Sequence, residues 1–240
     1  MPFNIGGYIY NGTHADVEDY KNIITRGLVL HLDASALESY PTTGTDWSDI
    51  SSQINNGILT NGPTFNSSNG GYFTLDGTND YVGITNNDSL NISTTITLES
   101  WIYATSTSAT QNVICKSSNT QNTGYIFPRT DNNWTSIYFY LHIGGWQILN
   151  TTFPSLNTWH HTAATYDGST MIIYINGTQV TTKAQTGTIT TNTNILAIGQ
   201  QTGYGEYFGG RVGGVKVYNR SLAATEISHN YNTQKSRFGL

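Results

Sequence analysis

Positive charge is scarce in this chain of 240 residues: ten Lys and Arg stand against fifteen Asp and Glu, for a net charge of −5. No basic field is present to draw in nucleic acid or an anionic membrane, and neither is expected as a partner. Charged residues of both signs amount to only 10%, well under the ~25% of ordinary soluble domains. Polarity must then come from the neutral Thr, Asn, Ser and Gly that fill almost every stretch. There is one cysteine, Cys115. An intrachain disulfide and a thiolate-only metal cage are therefore excluded, and Cys115, following Val113 and Ile114, reads as a small buried hydrophobe. No apolar run approaches the ~20 residues of a membrane-spanning helix, so no membrane insertion is expected. The opening Met1-Pro2-Phe3-Asn4 has neither the positive start nor the apolar stretch of a signal peptide. Helical periodicity is nearly absent too.

What is present is a set of short β-branched and aromatic runs broken by Gly, Asn and Asp. Hydrophobic residues at 37% suffice for a sizeable core. Strands are predicted at 28–33, 71–75, 81–85, 95–103, 112–116, 125–129, 136–142 and 146–150, then at 159–166, 171–175, 178–183, 194–199 and 208–218. In the strand 95–103, Leu98, Ser100 and Ile102 point one way, with Glu99, Trp101 and Tyr103 opposite. Two large rings on the second face predict that this strand is covered on both sides. Asn176-Gly177 between two such runs predicts a tight hairpin, because both residues accept positive φ. One helix is expected at about 224–233, with Glu226 in its first turn where the helix dipole favours a carboxylate. So many short strands with close turns give an all-β sandwich or barrel. Residues 1–26 precede the first strong strand and read as an N-terminal arm, with the main domain at 27–240. The arm carries Phe3, Ile5, Tyr8, Ile9, Tyr10 and Tyr20, an apolar load too rich for a solvated linker, and a docking segment is the expectation.

A set of ordered blocks narrows the fold. They are Leu75-Asp76-Gly77-Thr78-Asn79-Asp80-Tyr81-Val82, Thr97-Leu98-Glu99-Ser100-Trp101-Ile102, Trp159-His160-His161-Thr162-Ala163-Ala164-Thr165-Tyr166-Asp167-Gly168, Ile173-Tyr174-Ile175-Asn176-Gly177 and 210–222. Together they resemble the laminin-G-like domains of the concanavalin A-like lectin/glucanase superfamily, over roughly residues 27–233. The resemblance implies a jelly-roll sandwich of two antiparallel sheets with a short helix after the last strand. Gly27-Leu28-Val29-Leu30-His31-Leu32-Asp33-Ala34, Trp47-Ser48-Asp49-Ile50 and the ending Arg237-Phe238-Gly239-Leu240 are similar to laminin-G-like proteins encoded by tailed bacteriophages. That similarity implies a virion surface protein, a capsid decoration subunit or a neck, tail or fibre appendage. It would be assembled in bacterial cytoplasm against other virion proteins, with adhesion to cell-surface glycans as a further role.

Chemistry-bearing residues are few. Relatives that cut glycans carry close carboxylates on one strand, whereas Glu99 stands without a second carboxylate in its run and Asp76 and Asp80 sit in a turn. Glycoside hydrolysis needs two positioned carboxyls, so no catalytic residue is assigned and a hydrolase is the weakest alternative. His160 and His161 are adjacent on a strand and face opposite ways, so they do not share an ion. One is expected to pack inside and the other to face outward. No cofactor is implied by the residues themselves. Calcium is the family's common ion, and the resemblance makes Asp33 its best ligand, although Gly213 and Gly214 replace the second acidic position. For glycan recognition, Trp134, Trp146, Tyr125 and Tyr204 lie beside turn residues and are the candidate stacking rings. A carbohydrate-binding module is accordingly the alternative function.

Overall fold

The strand Ser136–His142 alternates strictly, with Ile137, Phe139 and Leu141 buried and Ser136, Tyr138, Tyr140 and His142 half-exposed. That is the period of a strand with one face on a core and one in water. The strand Ile96–Ala104 behaves differently, being buried almost throughout. Leu98 and Ile102 enter the main core while Trp101, 1% exposed, belongs to a separate cluster with Tyr72, Trp159 and Phe238. Both faces of this strand are covered, as the placement of its two rings predicts.

The computed structural model describes residues 21–105, 109–130 and 134–240, and of residues 1–20 only the backbone of Phe3–Ile5 and Tyr8–Tyr10, which pair antiparallel. The arm side chains Phe3, Ile5, Tyr8, Ile9 and Tyr10, and all of Tyr20, lie outside the described residues.

Two eight-stranded antiparallel sheets face each other. The first runs, in spatial order, Trp146–Thr152, Ser136–His142, Tyr125–Thr130, Gln111–Lys116, Leu196–Ile198, Tyr81–Ile84, Gly57–Thr60 and Asp46–Trp47. The second runs Thr178–Ala184, Thr170–Ile175, Trp159–Tyr166, Ile96–Ala104, Gly209–Tyr218, Tyr72–Asp76 and Thr64–Asn66. Its long strand Gly209–Tyr218 pairs with Tyr72–Asp76 along one half and with Leu28–Asp33 along the other. The inner faces interdigitate into one core containing Leu30, Trp47, Phe73, Phe127, Phe139 and Val217, all with no exposed surface. Cys115 is buried, and burial pushes its thiol up to about 12. The short strands between residues 46 and 66 escaped the sequence pattern, because each is only two to four residues long and too short to show a period.

A helix, Ala224–Gln234, and the 3-10 turn Lys235–Phe238 cover the outer face of the second sheet. Phe238 stacks on Trp101 at 4.2 Å between centroids, and Trp101 Nε1 donates to Gln234 Oε1 at 3.1 Å. Only half of a capping box exists at the helix start. Ala223 N–H donates to Glu226 Oε2 at 2.9 Å, and Ala223 has no side-chain acceptor to answer it.

The domain boundary lies upstream of residue 27. Ile23 is buried with Leu28, Tyr218 and Ile227, Tyr218 Oη donates to the Ile24 carbonyl, and Ile24 N–H donates to Asn230 Oδ1. These arm residues belong to the sandwich.

Candidate functional site

The exposed face of the first sheet carries the aromatic surface. Because Ser136–His142 alternates, Tyr138, Tyr140 and His142 share its water side, and the turn after it brings Trp146 alongside. Tyr140 and Trp146 meet edge to face at 5.8 Å, and His142 and Trp146 at 5.4 Å. A shallow groove of about 230 Å³ opens there, lined among others by Tyr140, Trp146, Tyr204 and Asn122. Tyr204 is 44% exposed.

The polar floor is an ion pair made by distant segments. Arg129 holds Glu206 with both prongs, Nη1 to Oε2 at 2.6 Å and Nη2 to Oε1 at 3.1 Å. Arg129 Nη1 also donates to Gln201 Oε1 at 2.9 Å, and Asn112 Nδ2 donates to Glu206 Oε2 at 2.8 Å. The guanidinium carbon stands 5.3 Å from the Tyr140 ring centroid, within cation–π range. Two-pronged pairing fixes both side chains in orientation and leaves the floor without net charge. Gln201 and Glu206 arrive on a two-stranded hairpin, Gln200–Gln201 with Glu206–Tyr207, whose apex presents Tyr204.

Of the four rings expected to stack on sugar, the structure brings two together, Trp146 and Tyr204. The other two are buried. Trp134, 2% exposed, packs against Phe153 and Phe208, and its Nε1 donates to Gln111 Oε1. Tyr125, 1% exposed, sends its hydroxyl to the Leu90 carbonyl. Adjacency to turn residues misled here, because a ring in or beside a turn still packs when its strand position faces the core, as for Tyr125, or when the turn folds it onto core rings, as for Trp134. Arg129, Glu206, Gln201 and Tyr140 were not foreseen. The alternation of 136–142 would have found Tyr140, but nothing local links residue 129 to residue 206.

Asp33 does not suit calcium. Its Oδ1 accepts from Arg237 Nη1 at 2.7 Å and from Ser35 N and Oγ, and its Oδ2 accepts from Gln234 Nε2 at 3.1 Å. A bound cation would have to displace a guanidinium, and three further donors, from oxygens that calcium requires free. Among the described residues no group of three His, Cys, Asp or Glu side chains is placed to hold a metal.

Glu99, too, has partners from other strands. It lies under the C-terminal helix, with Asn230 Nδ2 donating to both its oxygens and with His161 Nε2 at 3.8 Å and Lys216 Nζ at 4.0 Å. His160 and His161 do face opposite ways, but His161 is not open to solvent, because the helix covers it. His160 approaches Ser155 and Asn176, and burial lowers its pKa. Asp76 is a turn former, its Oδ1 accepting from the N–H groups of Thr78, Asn79 and Asp80.

The two-sheet architecture recurs in solved structures. The binding domain of Paraclostridial Mosquitocidal Protein 1 superposes with a TM-score of 0.68 at 15% identity, over 87% of this chain and 52% of that one. The botulinum neurotoxin serotype D binding domain gives 0.70 at 16% identity, over 88% and 53%. The serotype D ligand binding domain in complex with N-acetylneuraminic acid gives 0.70 at 15% identity, over 90% and 53%. At these identities the likeness is one of fold, and this chain spans about half the length of those domains. No curated protein matches the sequence. Residues 76–228, well over half of the chain, match the Laminin_G_3 family model, and the protein therefore belongs to the concanavalin A-like lectin/glucanases superfamily.

Proposed function

We propose that this domain is a non-enzymatic glycan-binding module displayed on the surface of a bacteriophage particle, with the groove at Tyr140, Trp146 and Tyr204 as its sugar site. The observation that carries the glycan reading is the juxtaposition of exposed rings with a fixed, electrically neutral floor of Arg129, Glu206 and Gln201. Rings supply flat apolar faces, and oriented amides and a paired guanidinium supply directional contacts. At about 230 Å³ the groove is smaller than the ~300–1,000 Å³ of drug-sized ligand sites, and it suits one sugar residue. Its neutral floor favours an uncharged sugar. That a toxin domain of the same fold binds N-acetylneuraminic acid supports the class of ligand and not its identity.

Among the described residues Glu206 is the carboxylate lining the groove, and both of its oxygens are taken by Arg129. A glycosidase needs two carboxyls able to exchange protons or attack, and the described residues of the groove do not offer them. The phage setting rests on the sequence blocks at 27–34, 47–50 and 237–240, and the arm is assigned to docking on a neighbouring virion protein.

A glycan array tests the site. Binding by the intact chain that is lost in Trp146→Ala, with an unchanged melting temperature, is the expected result. Undiminished binding in that variant would move the site elsewhere, and release of reducing sugar would overturn the non-enzymatic reading. Imaging of particles tests the setting, with repeated copies on capsid, neck or tail expected.

A further inference from the structure

The outer face of the second sheet carries a guanidinium whose donors are unspent. Arg211 lies in the strand Gly209–Tyr218, opposite Tyr103 on one side and Thr74 on the other. Its Cζ stands 4.3 Å from the Tyr103 ring centroid and 5.1 Å from that of Tyr72, both within cation–π range. Ring contacts engage the faces of a guanidinium and leave its in-plane N–H donors free. Among the described residues the Arg211 side chain makes no hydrogen bond and no ion pair. Arg129, Arg220 and Arg237 differ, each holding a carboxylate.

The surroundings are built to the same end. The hydroxyls of Tyr72 and Tyr103 make no hydrogen bond among the described residues, and Thr74 is exposed on the same side of its strand as Tyr72. Asp76, two residues further along that face, spends Oδ1 on three backbone N–H groups. Trp159 packs edge-on against both tyrosines, at 5.5 and 5.7 Å, and fixes their rings. A positioned arginine fork flanked by hydroxyls matches a carboxylate, which accepts two parallel N–H bonds.

We propose that Arg211, with Tyr72 and Tyr103, forms a second binding site that receives the carboxylate of an acidic sugar. It looks away from the Trp146 groove, since the two lie on the outer faces of opposite sheets. That the carboxylate is borne by a sugar rests on the glycan reading of the first groove; the recognition of a carboxylate does not.

Trigalacturonate, its neutral methyl ester and triglutamate, titrated into the full chain with backbone amide NMR as the readout, test the assignment. Trigalacturonate should shift the amides at 72–74, 103 and 211, while the ester leaves them in place and triglutamate binds more weakly. Arg211→Gln should weaken trigalacturonate at least tenfold. Arg211→Lys keeps a charge over the rings but loses the fork, and should fall between. Trp146→Ala should change nothing at this site. Equal affinity in Arg211→Gln, loss in Trp146→Ala, or shifts confined to the Trp146 groove would each overturn the proposal. Triglutamate binding as tightly as trigalacturonate would overturn its sugar component. Failure of every neutral glycan at the Trp146 groove would refute the first site without altering these outcomes.

Discussion

Asp33 and Glu99 show what a chain with few charges does with those it buries. Both are almost wholly inaccessible. Burial opposes their ionisation, yet Arg237 and His31 around Asp33, and His161, Lys216 and Asn230 around Glu99, hold each carboxyl below its ordinary range. A carboxyl depressed in the folded state contributes stability that is present above its unfolded pKa, about 4. That contribution is lost as pH falls through the folded value. Burial lowers the pKa of His31 and His160 as well, so these side chains cost stability once the unfolded chain protonates them below about pH 6.5. The melting temperature should therefore begin to fall below about pH 6.5 and drop further below about 4 as the carboxyls protonate. Glu99→Gln leaves Lys216 without its carboxylate and should cost about 3–5 kcal/mol at pH 7, while flattening the acid limb. Thermal melts of both proteins from pH 7 to 2 decide this, and parallel curves would show that Glu99 has no part in the acid response. None of this was legible beforehand. The pattern of 95–103 tells that Glu99 faces away from the core, but its partners come from residues 161, 216 and 230, which only the closed sheet brings together.

Elements were more legible than partners, because an element is a local matter. The Asn176-Gly177 turn follows from two residues, and both have positive φ, 49° and 75°. The structure adds a second constraint, since a Cβ on Gly177 would meet the Tyr231 ring at 2.8 Å. The hairpin is thus wedged under the C-terminal helix as well as bent by its own turn. Gly177→Asn should be mildly destabilising, because Asn tolerates the left-handed region but still adds a side chain against Tyr231. Gly177→Val should be worse by a further ~1 kcal/mol or more, since a branched residue is poorly accommodated at that φ. Urea denaturation of the two variants measures the difference, and equal midpoints would mean that the Tyr231 contact outweighs the turn. The same locality explains the two misplaced rings. Trp134 and Tyr125 have local sequences no different in kind from those of Trp146 and Tyr204, and what separates them is tertiary packing: Tyr125 faces the core from its strand, and Trp134 folds from its turn onto Phe153 and Phe208.

Across the whole molecule, residues 22–24 are tied to the C-terminal helix as well as to the sandwich. Asn22 and Ile24 exchange hydrogen bonds with His229, Asn230 and Tyr218, and Ile23 enters a core cluster with Ile227 of the C-terminal helix. That helix in turn covers Glu99, Trp101 and His161. A boundary after residue 26 therefore cuts through packed structure. Deleting residues 1–20 should leave the melting temperature within a few degrees of the intact chain. Deleting 1–26 removes the buried Ile23 side chain, worth about 2–5 kcal/mol by analogy with truncating a core Ile to Ala. It also leaves the Asn230 and Tyr218 side chains short of the backbone groups they bond. That protein should melt well below the shorter truncation. The comparison separates folding from docking. If the arm docks the domain on a virion, the 1–20 deletion folds normally yet fails to join particles in a complementation assay. Normal incorporation of that deletion would remove the arm from the interface and leave the sheet faces to make it.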